Sequence, residues 1–247
     1  MVQTTVEDQA GRIEAACIGA LAGEAAAGSA AGAADLLGVA ESVAAAGGFV
    51  ESDLRQRGLE RPSRSGGAGL LLRALPFGLI TPLDRPRLRR DAYRCVALAG
   101  ADEGTAIAAL AAALLIADLM RFDLHTALVR VRQSLLEDAP MALLAQLTPM
   151  DTEPETAEQD PGAVLQAAVT ALARADTVED AVTAIPGPPV AQGLAGALAG
   201  ARGGRAALEG IVAEQLAHAD RALQIAHKLA ERVAAQQTER EAARSGG

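Results

Sequence analysis

Tryptophan is absent, and one tyrosine and three phenylalanines are the only aromatic side chains in 247 residues. A core of stacked rings is therefore excluded, and so is the aromatic enrichment that strands favour. Two cysteines, Cys17 and Cys95, are too few for a disulfide framework and fit a reduced cytoplasmic compartment. Three histidines, His125, His218 and His227, leave little material for an imidazole-based metal site. No basic, apolar leader opens the chain, where Glu7 and Asp8 stand instead. The longest apolar run, residues 106–117, is shorter than the ~20 residues a bilayer crossing needs. A cytoplasmic protein with no membrane span is the expectation.

Half of the residues are nevertheless hydrophobic, and alanine and leucine dominate them. Both are strong helix formers, so an all-α fold is expected, with helix axes close together where alanine and glycine meet. The net charge is −9, which repels a phosphate backbone and speaks against nucleic acid as a partner. The basic cluster Arg85, Arg87, Arg89 and Arg90 is flanked by Asp84 and Asp91 and lacks interleaved aromatics, so it reads as a solvated helix start.

Periodicity and caps divide the chain into helices. Thr5 with Asp8 resembles a capping signal for a first helix that frays near Gly28. A second helix is expected over 31–46, stopped by Gly47-Gly48, and a short one over 51–57. "RPSRSGG", 61–67, reads as a loop. The next helix begins near Gly69 and is expected to break at Pro76, which lacks an amide donor. Further helices are expected over 83–98, 104–121 with Asp102 as cap, 123–137, 139–147, 162–174, 177–185, 190–201, 204–217 and 218–236. The acidic, proline-bearing stretch 148–162 reads as a mobile loop. Residues 1–236 form one expected domain, and 237–247 a polar, frayed tail. No period of 20–50 residues recurs, which argues against a solenoid.

Several separated stretches, in order, resemble the ADP-ribosylglycohydrolase family. "CIGALAGEAAAG", 17–28, is similar to its opening helix. "AADLLGVAESVAAAGGFVESDL", 33–54, is similar to the second helix and its turn. "GGAGLLLRALPFGLI", 66–80, carries Arg73, Pro76 and Gly78 where the family has an Arg-x-x-Pro-x-Gly segment. "VEDAVTAI", 178–185, and "GLAGALAGARGG", 193–204, bracket the place of its last metal motif, and 209–232 resembles the closing helices. The resemblance spans residues 13–232. It implies an orthogonal multi-helix bundle and, in active members, two magnesium ions that bind ADP-ribose and support hydrolysis. Magnesium requires hard oxygen ligands.

Active members place Thr-Asp-Asp-Thr before the second helix, where this chain has Ala30, Ala31, Gly32 and Ala33. They place Asp-Thr-Asp-Thr before the "GALAGA" helix, where this chain has Gly187, Pro188, Pro189 and Val190. The degenerate metal positions are thus Ala31, Gly32, Gly187 and Pro189. Glu24 is the one acid at a matching position. By resemblance, Glu24, Arg73 and Gly78 belong to the former pocket. Glu24 reads either as a residual general acid or base or as a solvated or salt-bridged carboxylate. Arg73 reads either as an anion ligand or as the partner of an acid.

Other constellations read as structural. His218 and Asp220 lie two apart on one expected helix and diverge, and His227 falls on its opposite face. Cys17 and Cys95 sit among apolar residues and read as core, not as nucleophiles. Ser29, Ser42 and Ser65 lack a strand-turn-helix elbow, and "GARGG", 200–204, follows a helix rather than a strand. The expectation is a catalytically degenerate binding or interaction module, with no cofactor and no magnesium, acting on an unidentified protein partner or small molecule. The alternative is a metal-independent enzyme with a repurposed pocket.

Overall fold

The computed structural model describes residues 6–80, 84–149, 160–185 and 187–245. Among them lie twelve α-helices, two short 3-10 turns and no strand, so the chain is all-α. The first half comprises α1 (Val6–Ala26), α2 (Ala31–Ala46), α3 (Glu51–Gln56), α4 (Gly69–Ile80), α5 (Arg85–Leu98) and α6 (Glu103–Leu119). The second comprises α7 (Leu124–Leu135), α8 (Met141–Gln146), α9 (Pro161–Arg174), α10 (Val178–Thr183), α11 (Pro189–Gly203) and α12 (Ala219–Ser245). No helix among the described residues is long and apolar enough to cross a membrane.

Side-chain caps fix many of the starts. Asp102 accepts a hydrogen bond from the Thr105 amide at 2.7 Å, and Asp123 from Thr126 at 2.9 Å. Each satisfies a backbone donor that the first helical turn leaves free. Gly47 ends α2 at φ 77°, a left-handed turn that glycine enters without steric cost. Arginines close several helix ends. Arg12 donates to the carbonyls of Leu119, Ala201 and Arg202, tying the ends of α6 and α11 together. Arg232 does the same for α2 through Ala44 and Ala45. A cation is favourable at this negative end of the helix dipole.

The core depends on small residues. Helix α6 is buried on every side from Thr105 to Leu119, which explains its apolar run over residues 106–117. Helices α1 and α11 run antiparallel with backbones in contact. A methyl group on Gly19 would stand 2.1 Å from the Gly196 carbonyl oxygen, and one on Gly200 equally close to that of Ala15. The centre between these two helices is therefore closed.

Four expectations are corrected. Helix α4 continues through Pro76. All twelve of its residues are buried, and packing on both sides of the proline outweighs a propensity cost of about 3 kcal/mol. The expected helix over 204–217 is instead two 3-10 turns, Gly204–Leu208 and Ala213–Gln215. Gly204 and Gly210 take φ of 63° and 86°, which an α-helix does not accommodate. The polar segment after residue 236 is helical to Ser245, anchored to α1 by a 2.6 Å bond from Gln237 to Gln9. His218, at φ 68°, precedes α12 rather than sharing it with Asp220. Thr5, residues 81–83 and residues 150–159 of the acidic stretch lie outside the described residues.

Candidate functional site

Glu24 lies in the last turns of α1, with its carboxylate fully buried. Oε1 accepts from the Gly32 amide at 3.0 Å and Oε2 from the Ala33 amide at 2.9 Å. Those are the second and third amides of α2, whose N-cap position holds Ala30, a residue with no capping side chain. Glu24 thus serves as the cap from a neighbouring helix, and Ser29 Oγ accepts from Ala31 at 3.3 Å. Burial pushes the Glu24 carboxyl above its ordinary range, against the two amide bonds, which pull it down. The carboxylate is neither solvated nor salt-bridged.

The surroundings leave it no freedom. A methyl group on Gly32 would stand 2.3 Å from Glu24 Oε1 and 2.7 Å from Leu72 Cδ1. One on Gly193, in α11, would stand 2.9 Å from Glu24 Cγ. Four helices, α1, α2, α4 and α11, therefore meet around this one side chain. At the start of α11, Pro188 is the N-cap residue and Pro189 the first helical residue, and Gly187 is exposed. Gln192 Nε2 donates to the Ile185 carbonyl at 2.7 Å and closes the loop back on itself. Ala31, Gly32, Gly187 and Pro189 offer no side-chain oxygen. Among the described residues, no three His, Cys, Asp or Glu side chains are grouped so as to hold a metal ion.

Above α2 opens a cleft of about 1030 Å³. Its floor is Ala31, Ala34 and Gly38 of α2, with Leu59 and Arg73. Arg57, Arg61 and Arg64, from the end of α3 and the loop after it, also line it, as do His218 and Arg221 at the start of α12, and Arg57 and Arg221 meet on Glu41. Glu24 is not among the residues lining it.

Arg73 is buried, and its donors are spent within the protein. Nε and Nη2 bond Asp35 Oδ2 at 3.0 and 2.8 Å, and Nη1 bonds the carbonyls of Leu59 at 2.9 Å and Arg61 at 2.7 Å. Ser63 adds a third donor to the same Asp35 oxygen at 2.8 Å. Of the two readings of Arg73, the pairing with an acid is the one observed, and it pins the cleft loop to α4. Gly78 is elsewhere: a methyl group there would stand 2.3 Å from the Ala113 carbonyl oxygen, so it serves the crossing of α4 with α6.

No family model and no curated protein matches the chain. Among solved structures it is similar to an "ADP-ribosylglycohydrolase-related protein complex", at a TM-score of 0.75. The match covers 92% of this chain and 99% of that one, with 18% sequence identity. The chain has an ADP-ribosylglycohydrolase-like fold.

The cysteines and the basic cluster 85–90 are engaged structurally, whereas His218 lines the cleft. Burial pushes the thiols of Cys17 and Cys95 up to about 12, which disfavours the reactive thiolate at neutral pH. His125, His218 and His227 are exposed, and His227 lies 3.2 Å from Glu231. Each arginine of the 85–90 cluster has an intramolecular partner: Arg85 with Asp118, Arg87 and Arg90 with Asp91, and Arg89 with Asp138. Arg57, Arg61 and Arg64 were not singled out from the sequence. Their trace there is the density of arginine over residues 55–64, in a chain that is acidic overall.

Proposed function

We propose that the chain is a catalytically degenerate protein of this fold, which binds a partner through the cleft and does not hydrolyse ADP-ribose bonds. The observation that carries the reading is the commitment of Glu24. Both of its oxygens serve amides of α2, in a space that Gly32 and Gly193 leave just large enough for it. A pair of magnesium ions needs several hard oxygen ligands in near-octahedral array. The residues present do not fit that requirement: one carboxylate is already engaged, and the family's other acidic positions hold Ala31, Gly32, Gly187 and Pro189.

The alternative, a metal-free reaction using Glu24 and Arg73, has less support. Glu24 does not line the cleft, and Arg73 has its donors on Asp35 and two carbonyls. Two buried, unpaired cysteines fit the reduced cytoplasm proposed for the protein. Incubation of the purified protein with ADP-ribosylated arginine and serine substrates, with and without magnesium, tests the reading. Both substrates should remain intact. Metal-dependent turnover would sink the degenerate assignment, and metal-free turnover would favour the alternative.

A further inference from the structure

We propose that the cleft receives an acidic segment of a partner protein, held by Arg61 and Arg64, the two cleft arginines that no carboxylate engages closely. The inference rests on the binding-module reading and names the chemistry of the partner.

The first ground is charge. The chain carries a net −9, yet the cleft is lined by five arginines and a single acid, Asp35. Asp35 is matched by Arg73. Glu41 lies beside the cleft and holds Arg57 at 2.8 Å and both Nε and Nη2 of Arg221 at 2.7 and 3.0 Å, so the Arg221 fork is spent on it. Asp53 takes a further share of Arg57 at 2.8 Å. Arg61 reaches no closer than 3.9 Å to Glu60, with its side chain 81% exposed. Arg64 is exposed and makes no hydrogen bond or ion pair among the described residues. Unmatched guanidinium groups thus gather at one place on a protein whose other basic cluster is internally paired.

The second ground is where the free donors stand. A site for a small enclosed anion requires donors converging from a buried floor. Here the floor is alanine, glycine and leucine, and its one arginine is spent on Asp35 and two carbonyls. The available guanidiniums, those of Arg61 and Arg64, are exposed. A partner segment can lie along the small lining residues Ala31, Ala34 and Gly38. Aspartate and glutamate on such a segment can meet the forked guanidinium donors in pairs. Exposed pairs of this kind are individually weak and screened by salt, so binding depends on several acting together.

Fluorescence anisotropy of the full chain with a labelled glutamate- and aspartate-rich peptide of about fifteen residues tests this. Saturable binding at low ionic strength is expected, weakened strongly by about 0.3 M salt. The double variant Arg61→Glu/Arg64→Glu should lose at least about tenfold in affinity with its melting temperature unchanged, because neither side chain is buried. Arg90→Glu, on the other basic cluster, should bind as the parent does. Absence of peptide binding overturns the proposal, as does binding indifferent to the double substitution. Tighter binding of inorganic phosphate or ADP-ribose than of the peptide assigns the cleft to a small anion instead and also overturns it. Peptide failure with ADP-ribosylated substrates left intact refutes the acidic partner alone. Turnover of those substrates refutes the degenerate reading beneath it.

Discussion

Gly32→Ala adds one methyl group to the second residue of α2, where in an exposed helix the change would be helpful. Alanine exceeds glycine in helix propensity by about 0.8–1.0 kcal/mol. In this chain the added carbon would stand 2.3 Å from Glu24 Oε1 and 2.7 Å from Leu72 Cδ1, so both must move. Glu24 cannot move without loosening its bonds to the Gly32 and Ala33 amides. Overpacking of this kind costs about 1–3 kcal/mol, and a hydrogen bond to a charged group contributes about 1.5–3 kcal/mol. Weakening of one bond, with partial relaxation and the propensity gain, leaves a net loss of roughly 3 kcal/mol. For a chain of this size that lowers the melting temperature by roughly 6–12 °C.

Gly104→Ala is the matched control. Gly104 is also the second residue of its helix, α6, and the only atom near a methyl group there would be Asp102 Oδ1, at 3.8 Å. That variant should melt at or above the parent temperature. Thermal denaturation followed by circular dichroism reads both. A Gly32→Ala variant as stable as Gly104→Ala would refute the tightly filled Glu24 site. By the same geometry, Gly32→Asp should destabilise the protein and gain no stabilisation from magnesium.

Glu24→Gln gives a pH signature. Burial raises the Glu24 carboxyl above its ordinary value in the folded chain, so between the two values the folded state holds more protons than the unfolded. Parent stability measured by urea unfolding should therefore fall as pH rises through that window, and this component should vanish in Glu24→Gln. Identical pH slopes for the two proteins would contradict it. Glu41 does not obscure the result, because Arg221 lowers its carboxyl and its contribution is lost only as pH falls below the ordinary range. Replacing Pro188 and Pro189 by alanine should cost about 0.4–1 kcal/mol each, through the freer unfolded chain. Unchanged stability would remove their stiffness as the reason for the loop. Native Cys17 and Cys95 should resist a thiol reagent until the chain unfolds. Fast labelling in the native state would show that their burial is not maintained.

Local signals made much of the fold legible. Asp102 and Asp123 mark helix starts because a carboxylate two or three residues ahead of a free amide is a short-range device, visible in sequence as in structure. Gly47 marks an end for the same reason. Two misreadings arose where distant packing overruled local preference, whereas the break over 204–217 is local, set by the positive φ of Gly204 and Gly210. Pro76 stays helical because every residue of α4 is buried, and Gln237 is ordered by Gln9, 228 positions away. The site divides in the same manner. Glu24 stood out as the surviving acid, but its role depends on amides of another helix. The cleft was not legible, because Arg57, Arg61, Arg64 and Arg221 come together only when the start of α12 folds against α2.

Calorimetric titration of magnesium chloride into the purified full chain, alone and with ADP-ribose present, tests the central claim most directly. The side chains around Glu24 hold no set of oxygen ligands for the ion, so only heats of dilution are expected in both titrations. A saturable, stoichiometric isotherm abolished by Glu24→Gln would place a functional magnesium centre where a filled helix junction is described.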